Sequence, residues 1–302
     1  MPGPGESVGD EACGTSRWAF PAPSSLISHN GGVLILLPPS ETKTRPERTD
    51  ARLNLDALAF APLAAPRQTM LRAVLRTAAG KDAADKLGVP ASAPELVERM
   101  AALPKEPVGA PLAVYSGVLF DQLDPAVTIP EDRRVLIQSA LLGVVDADTD
   151  RIPAYRLSAG STVTRLGKAA TWWARHLRPL GARLLEDTAD GTSPVVIDCR
   201  SGAYRSMMPM HSGTPGASAA RGASEPAVRV LEVAPVQERG GVRTVVSHDA
   251  KRFRGWVTRV LLDAPAPAAT PDEVVDQLRA GFGGTLGVEL EEDRLVIVDR
   301  VG

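Results

Sequence analysis

Val33-Leu34-Ile35-Leu36-Leu37-Pro38-Pro39-Ser40-Glu41-Thr42-Lys43 is the stretch from which the rest of the chain is read. Five apolar residues in succession show no alternation, which predicts a strand buried on both faces of a sheet. Pro38 and Pro39 end it, because proline cannot continue the hydrogen-bonded ladder. Ser40, Glu41, Thr42 and Lys43 then lie just beyond the strand's C-terminal end, where open α/β sheets place their ligands. Lys43 is expected to face that crevice.

Upstream, residues 1–31 hold Gly, Pro, Ser and Glu with few large apolar side chains, a composition that cannot repay the entropy of ordering. A disordered N-terminal extension over 1–31 and one folded unit over 32–302 are expected. Downstream, Pro66 to Ala79 reads as a helix with Leu71, Val74, Leu75 and Ala78 inward and Gly80 as its stop. A short helix follows to Leu87-Gly88-Val89. Ser92-Ala93-Pro94-Glu95 has capping-box spacing and opens a helix through Leu96, Val97, Met100 and Leu103. Helix, small-residue turn and helix in this order read as a helix-hairpin-helix-like insertion, with Lys81, Lys86 and Gly88 as candidate DNA-backbone contacts; an ordinary helical corner is the plain alternative.

Pro111 to Leu119 reads as a strand. Pro130-Glu131-Asp132 opens a helix with Val135, Leu136, Ser139 and Leu142 inward, ended by Gly143. Gly167 to Leu180 is helical, with one of Trp172 and Trp173 in the core and the other partly exposed. Val195 to Cys199 is a buried strand, and Val228 to Val236 and Val242 to His248 are neighbouring strands. His211 to Glu225 is expected to be a mobile loop. Asp249 to Leu262 is helical, Thr270-Pro271-Asp272-Glu273 caps a last helix, and Gly287 to Leu290 with Leu295 to Val298 close the chain as a hairpin. The expected class is a single-domain α/β (mixed α+β) protein, a mixed sheet covered by helices.

With 44% apolar and 23% charged residues over 302 positions, the chain can bury a sizeable core. A formal charge of −2 supplies no overall field for DNA or an anionic membrane, so nucleic-acid binding would need a local basic face. Cys13 and Cys199 are too few and too far apart for a disulfide framework or a zinc site. The longest apolar run, Val33 to Pro39, is too short to span a bilayer, and the acidic start lacks the marks of a signal peptide. A cytoplasmic protein without a membrane partner is expected.

The sequence's three tyrosines each stand beside Gly, Ser, Arg or Asp: Tyr115-Ser116-Gly117, Tyr155-Arg156-Leu157-Ser158-Ala159-Gly160, and Asp198-Cys199-Arg200-Ser201-Gly202-Ala203-Tyr204-Arg205. A phenol beside a flexible backbone and a cation suits a polar pocket better than a core. Lys43, Tyr115, Tyr155, Arg156, Asp198, Ser201 and Tyr204 are therefore candidate ligand contacts. Ser247-His248-Asp249 ends a further strand just before a helix start, and His248, Lys251 and Arg254 join the candidates because such a place suits an anion, a phosphate or a nucleotide backbone. A buried polar network bracing loops is the competing reading. Ser201 lacks the Gly-x-Ser-x-Gly elbow of a nucleophile, and Cys199 reads as a small buried hydrophobe. His29, His176, His211 and His248 sit in unrelated segments, so neither a metal nor a cofactor is called for.

Taken in order, Leu34 to Lys43, Tyr115-Ser116-Gly117, Ser139 with Gly143, Tyr155-Arg156-Leu157, Asp198 to Tyr204, and Ser247-His248-Asp249-Ala250-Lys251 with Arg254-Gly255 resemble the YaaA family of peroxide-stress proteins, from about Val33 to the C-terminus. Ser139-Ala140-Leu141-Leu142-Gly143 stands where better-studied members have Ser-Gly-Leu-Tyr-Gly. The resemblance implies a cytosolic role in hydrogen-peroxide stress, limitation of free iron and of the DNA damage it causes, a single-domain α/β fold, and DNA binding through a helix-hairpin-helix, here at Lys81 to Val97. It implies no particular reaction. Two functions are carried forward: a stress protein in weak, backbone-directed contact with double-stranded DNA, and an enzyme on a nucleotide, nucleobase or similar small anion.

Overall fold

The computed structural model describes residues 32–47, 50–189, 194–212, 228–246 and 249–301. The expected extension over 1–31, residues 213–225 of the expected loop, and Ser247 and His248 lie outside the described residues. In chain order, β1 (Val33–Leu37) leads through α1 (Ala64–Ala78), α2 (Ala83–Leu87), α3 (Glu95–Ala101), the two-residue β2 (Val108–Gly109) and α4 (Pro111–Val114) to β3 (Arg133–Ser139) and β4 (Gly143–Asp146). The short β5 (Ile152–Pro153), β6 (Thr162–Val163) and β7 (Gly167–Lys168) precede the long α5 (Ala169–Ala189). Then come β8 (Val195–Asp198), α6 (Gly202–Met207), β9 (Arg229–Arg239), β10 (Val242–Val245), α7 (Ala250–Asp263), α8 (Pro271–Phe282), β11 (Gly287–Glu291) and β12 (Arg294–Arg300).

The main sheet runs β11-β12-β9-β8-β1-β3-β4, with β10 paired to the far end of β9. β1 lies at the centre, parallel to β3 on one side and β8 on the other. Every residue of β1 is buried, as an apolar run without alternation requires. From β1 the chain leaves toward β3, and from the adjacent β8 it leaves in the opposite direction toward β9. This divergence is the topological switch point of an open sheet, and the crevice beyond the C-terminal ends of β1 and β8 belongs to it. Among the described residues, no helix is long and apolar enough to cross a membrane.

Several elements follow their sequence signals closely. Thr270 caps α8 by accepting the Glu273 amide at 3.2 Å, while the Glu273 carboxylate accepts the Ala269 amide at 2.7 Å. Gly88 ends α2 in the left-handed region at φ 70°.

Others differ. Arg133 to Ser139 is the strand β3, not a helix: Val135, Leu136, Ser139 and Leu142 imitate a helical stripe because a strand buried on both faces loses its alternation. Gly143 is not a helix stop but the first residue of β4, at φ 79°, and a Cβ there would meet the Trp173 ring at 2.8 Å. Pro111 to Leu119 is the short helix α4 followed by loop, with Pro111 in the first turn. Ser92 does not cap α3, whose N-cap is Pro94. On α1 the buried stripe is Met70, Ala73, Val74, Thr77 and Ala78, while Leu71 and Leu75 lie at its edge. Both Trp172 and Trp173 are buried, stacked on each other with ring centroids 5.8 Å apart.

Candidate functional site

The loop after β1 brings Lys43 across to the segment after α4, where its backbone bridges that of Tyr115. Tyr155 follows β5, and Ser139 ends β3 two residues past Ile137, the partner of the last residue of β1. Four elements distant in sequence thus meet at one end of the sheet. The Tyr155 hydroxyl lies 2.7 Å from Ser139 Oγ and 2.8 Å from the Tyr115 hydroxyl, a chain of three buried oxygens. Ser139 Oγ also accepts the Leu142 amide at 2.9 Å.

Lys43 lies over these rings. Its Nζ is 4.0 Å from the Tyr155 ring centroid and 5.1 Å from that of Tyr115, and it donates to the Ser40 carbonyl at 2.6 Å. Among the described residues no carboxylate pairs with it; Glu41, the nearest candidate in sequence, binds Arg156 at 2.8 Å. Burial lowers the Lys43 pKa to about 7, with Arg156 adding to the fall and Glu41 opposing it. Burial raises the pKa of Tyr115, Tyr155 and Tyr204, so all three phenols remain protonated donors through the neutral range.

The segment carrying Tyr155 and Arg156 is held by hydrogen bonds, two to the end of α2 and one to α6. Arg156 Nε donates to the Gly88 carbonyl at 2.9 Å, Ser161 Oγ donates to the Leu87 carbonyl at 3.0 Å, and the Ala159 amide donates to the Tyr204 hydroxyl at 3.2 Å. Gly88 therefore faces Arg156 through its carbonyl, and the α2–α3 turn serves as a wall of this site. Lys81 is exposed, and Lys86 pairs with Asp82 at 2.7 Å.

Asp198 belongs to a neighbouring cluster. It is held bidentately by the buried Arg200 guanidinium, at 2.7 Å and 2.9 Å, and Arg200 reaches further to Gln138 Oε1 at 3.2 Å and the Met208 carbonyl at 2.8 Å. Here the network-bracing reading describes what the residues do. Beside it opens a cleft of about 670 Å³ lined by Arg178, Asp198, Arg205, Glu232 and Arg294 among others. Arg254, half-buried on α7, has Cys199, Arg205, Asp198 and Glu232 in its electrostatic surroundings, and burial lowers its pKa. Ser201 occupies the N-cap of α6 without a side-chain capping bond, and Lys251 is exposed on the first turn of α7. Lys43, Tyr115, Tyr155, Arg156 and Tyr204 come together; Asp198 and Arg254 form the second cluster; His248 lies outside the described residues. Among the described residues, no three His, Cys, Asp or Glu side chains gather as a metal site.

Sequence reasoning left Arg200 and Gln138 off the candidate ligand contacts, and assigned Ser139 to a helix. Arg200 had a signal: it stands two residues after Asp198 at a strand end, where i and i+2 share a face. Ser139 had a signal only in the family motif it shares with Gly143, and Gln138 had none, since their strand was misread.

Fold and site define a class, an open α/β protein with a cluster of lysine, tyrosine and arginine side chains beyond the ends of its central strands. The family model described as peroxide stress protein YaaA matches residues 33–282, and the chain belongs to that family. It is 36% identical over 265 residues to a UPF0246 protein of Corynebacterium efficiens, covering 87% of this chain and 97% of the relative. A UPF0246 protein of Streptomyces coelicolor is 34% identical over 268 residues, covering 86% and 93%.

Proposed function

We propose that the chain is an enzyme of the peroxide-stress response, cytoplasmic, acting on a small anionic ligand of the nucleotide or nucleobase class held over Lys43. One observation carries this reading: a lysine amine laid on the faces of two tyrosines, beside a guanidinium, with no carboxylate partner among the described residues. An amine whose pKa falls to about 7 is in large part neutral at physiological pH and can take a proton or attack a carbon. Arg156 supplies the charge that draws an anion when the ligand displaces the exposed Glu41 carboxylate from it, and the protonated phenols supply donors. In this reading, limitation of iron-dependent DNA damage follows from what the pocket does to its ligand.

A thermal-shift screen of nucleotides and nucleobases against the wild type, Lys43→Met and Arg156→Gln tests it. A ligand at a hundred times its Kd stabilises by about 2.7 kcal/mol, and both variants are expected to lose most of that shift. No shift in the wild type, or equal shifts in all three proteins, overturns the reading.

The hairpin of α2 and α3 about Gly88, with Lys81 exposed, favours a second reading, weak contact with the backbone of double-stranded DNA. Each phosphate neutralised contributes about −0.9 to the log–log salt slope, so a few contacts give a shallow dependence. Unchanged duplex binding in a Lys81→Glu, Lys86→Glu double variant removes the hairpin from this role.

A further inference from the structure

We infer that Lys43 captures a carbonyl group of its ligand as an imine, with Tyr155, Tyr115 and Ser139 moving the protons; this deepens the pocket reading above and rests on it. The chain has six lysines, and five of them, Lys81, Lys86, Lys105, Lys168 and Lys251, are exposed or, for Lys86, paired with Asp82. Among the described residues, Lys43 alone has its amine set against aromatic faces and anchored to a main-chain carbonyl, which fixes a nucleophile in place without neutralising it.

Carbonyl capture needs proton traffic in both directions. The amine nitrogen bonds to the carbonyl carbon as the C–O π pair takes up a proton, giving a carbinolamine. The carbinolamine oxygen then leaves as water and the nitrogen forms its double bond, so the two protons that leave the amine end on the departing oxygen. The hydroxyl chain is built for such traffic. Ser139 Oγ accepts the Leu142 amide, leaving its hydrogen to pass along the chain; three hydroxyl hydrogens serve two internal bonds, and one remains to be given outward. The two rings that carry the amine carry two of these hydroxyls. Arg156 beside them selects a ligand whose carbonyl lies near an anionic group, such as the open-chain aldehyde of a sugar phosphate or a 2-oxo acid.

The test is reductive trapping at pH 7 with sodium cyanoborohydride, using ribose 5-phosphate and pyruvate as separate probes, read by peptide mass mapping of all six lysines. An adduct at Lys43 forming about a hundredfold faster than at Lys81 or Lys251 is expected, because its amine is desolvated and held against two aromatic faces while theirs are exposed. The probe that gives it tells a sugar phosphate from an oxo acid. Tyr155→Phe keeps the ring under the amine and loses the hydroxyl; it is expected to slow trapping about a hundredfold. Equal labelling of Lys43 and the exposed lysines by both probes overturns the imine, while the ligand-induced shift of the preceding experiment still stands or falls by itself. Trapping at Lys43 that Tyr155→Phe leaves at the wild-type rate overturns the relay.

Discussion

Taking the Lys43 amine out of water disfavours its charged form, and the consequence reaches stability as well as chemistry. Its folded value of about 7 lies below the 10.5 of a free side chain. Between these values the unfolded chain binds more protons, so stability rises with pH across the window; below about pH 7 the penalty is fully present. Lys43→Met, which keeps the bulk without the charge, is expected to be more stable than the wild type at pH 6, the difference shrinking as pH approaches 10. Urea midpoints of both proteins across that range check it, and a pH-independent difference would show that the amine is not desolvated. Cys199 makes the opposite case. Burial pushes its thiol up to about 12, where it sits 3.7 Å from Thr258 Oγ1 and 3.8 Å from the Arg254 carbonyl. A thiol this protonated is a poor nucleophile. Treatment of the folded protein with iodoacetamide or hydrogen peroxide should leave Cys199 unmodified, with reaction appearing only after denaturation; modification of the folded protein would show that the thiol is not shielded.

Among the elements, α1 and the β3–β4 turn are joined by one side chain. Arg67 is fully buried and donates to the carbonyls of Leu142, Ala59 and Val144 at 2.9, 2.7 and 2.7 Å. Arg67→Met would leave three carbonyls without their donor, and a loss of about 3 to 5 kcal/mol in unfolding free energy is expected. Trp173, whose indole donates to the Ala140 carbonyl at 2.7 Å beside Gly143, gives the fluorescence signal. A loss below about 1 kcal/mol would mean that water replaces the guanidinium without cost. The same region explains which elements were legible. The helix α8 carries its own start signal in Thr270 and Glu273 and a buried stripe of Val274, Val275, Leu278 and Phe282, so local chemistry suffices. The strand β3 carries no local signal, since all seven of its residues are buried, including Arg133, Arg134 and Gln138, and only its neighbours β1 and β4 make an extended conformation favourable there.

For the molecule as a whole, β1 is both the first described strand and the centre of the sheet. Its five side chains are each at most 2% exposed, and burying them contributes about 1.5 to 3 kcal/mol apiece, a sum comparable with the whole stability of a typical domain. A chain beginning at Gly32 should therefore melt within a few degrees of the full-length protein, while one beginning at Pro38 should show no cooperative transition by calorimetry. A large loss on removing 1–31 alone would show that the extension packs on the fold. The apolar run at Val33 to Leu37, the capped last helix and the placement of Lys43 beyond a strand end were determined by the sequence alone, because each rests on side chains within a few positions of one another. The tertiary structure decided which polar residues act together. Ser139, Tyr155, Tyr115 and Lys43 meet only because β3 pairs with β1 and two short segments fold back over the strand ends, while Asp198 is claimed by Arg200. Hydrogen bonds are made across a few ångströms of space, and separation along the chain carries no record of that distance.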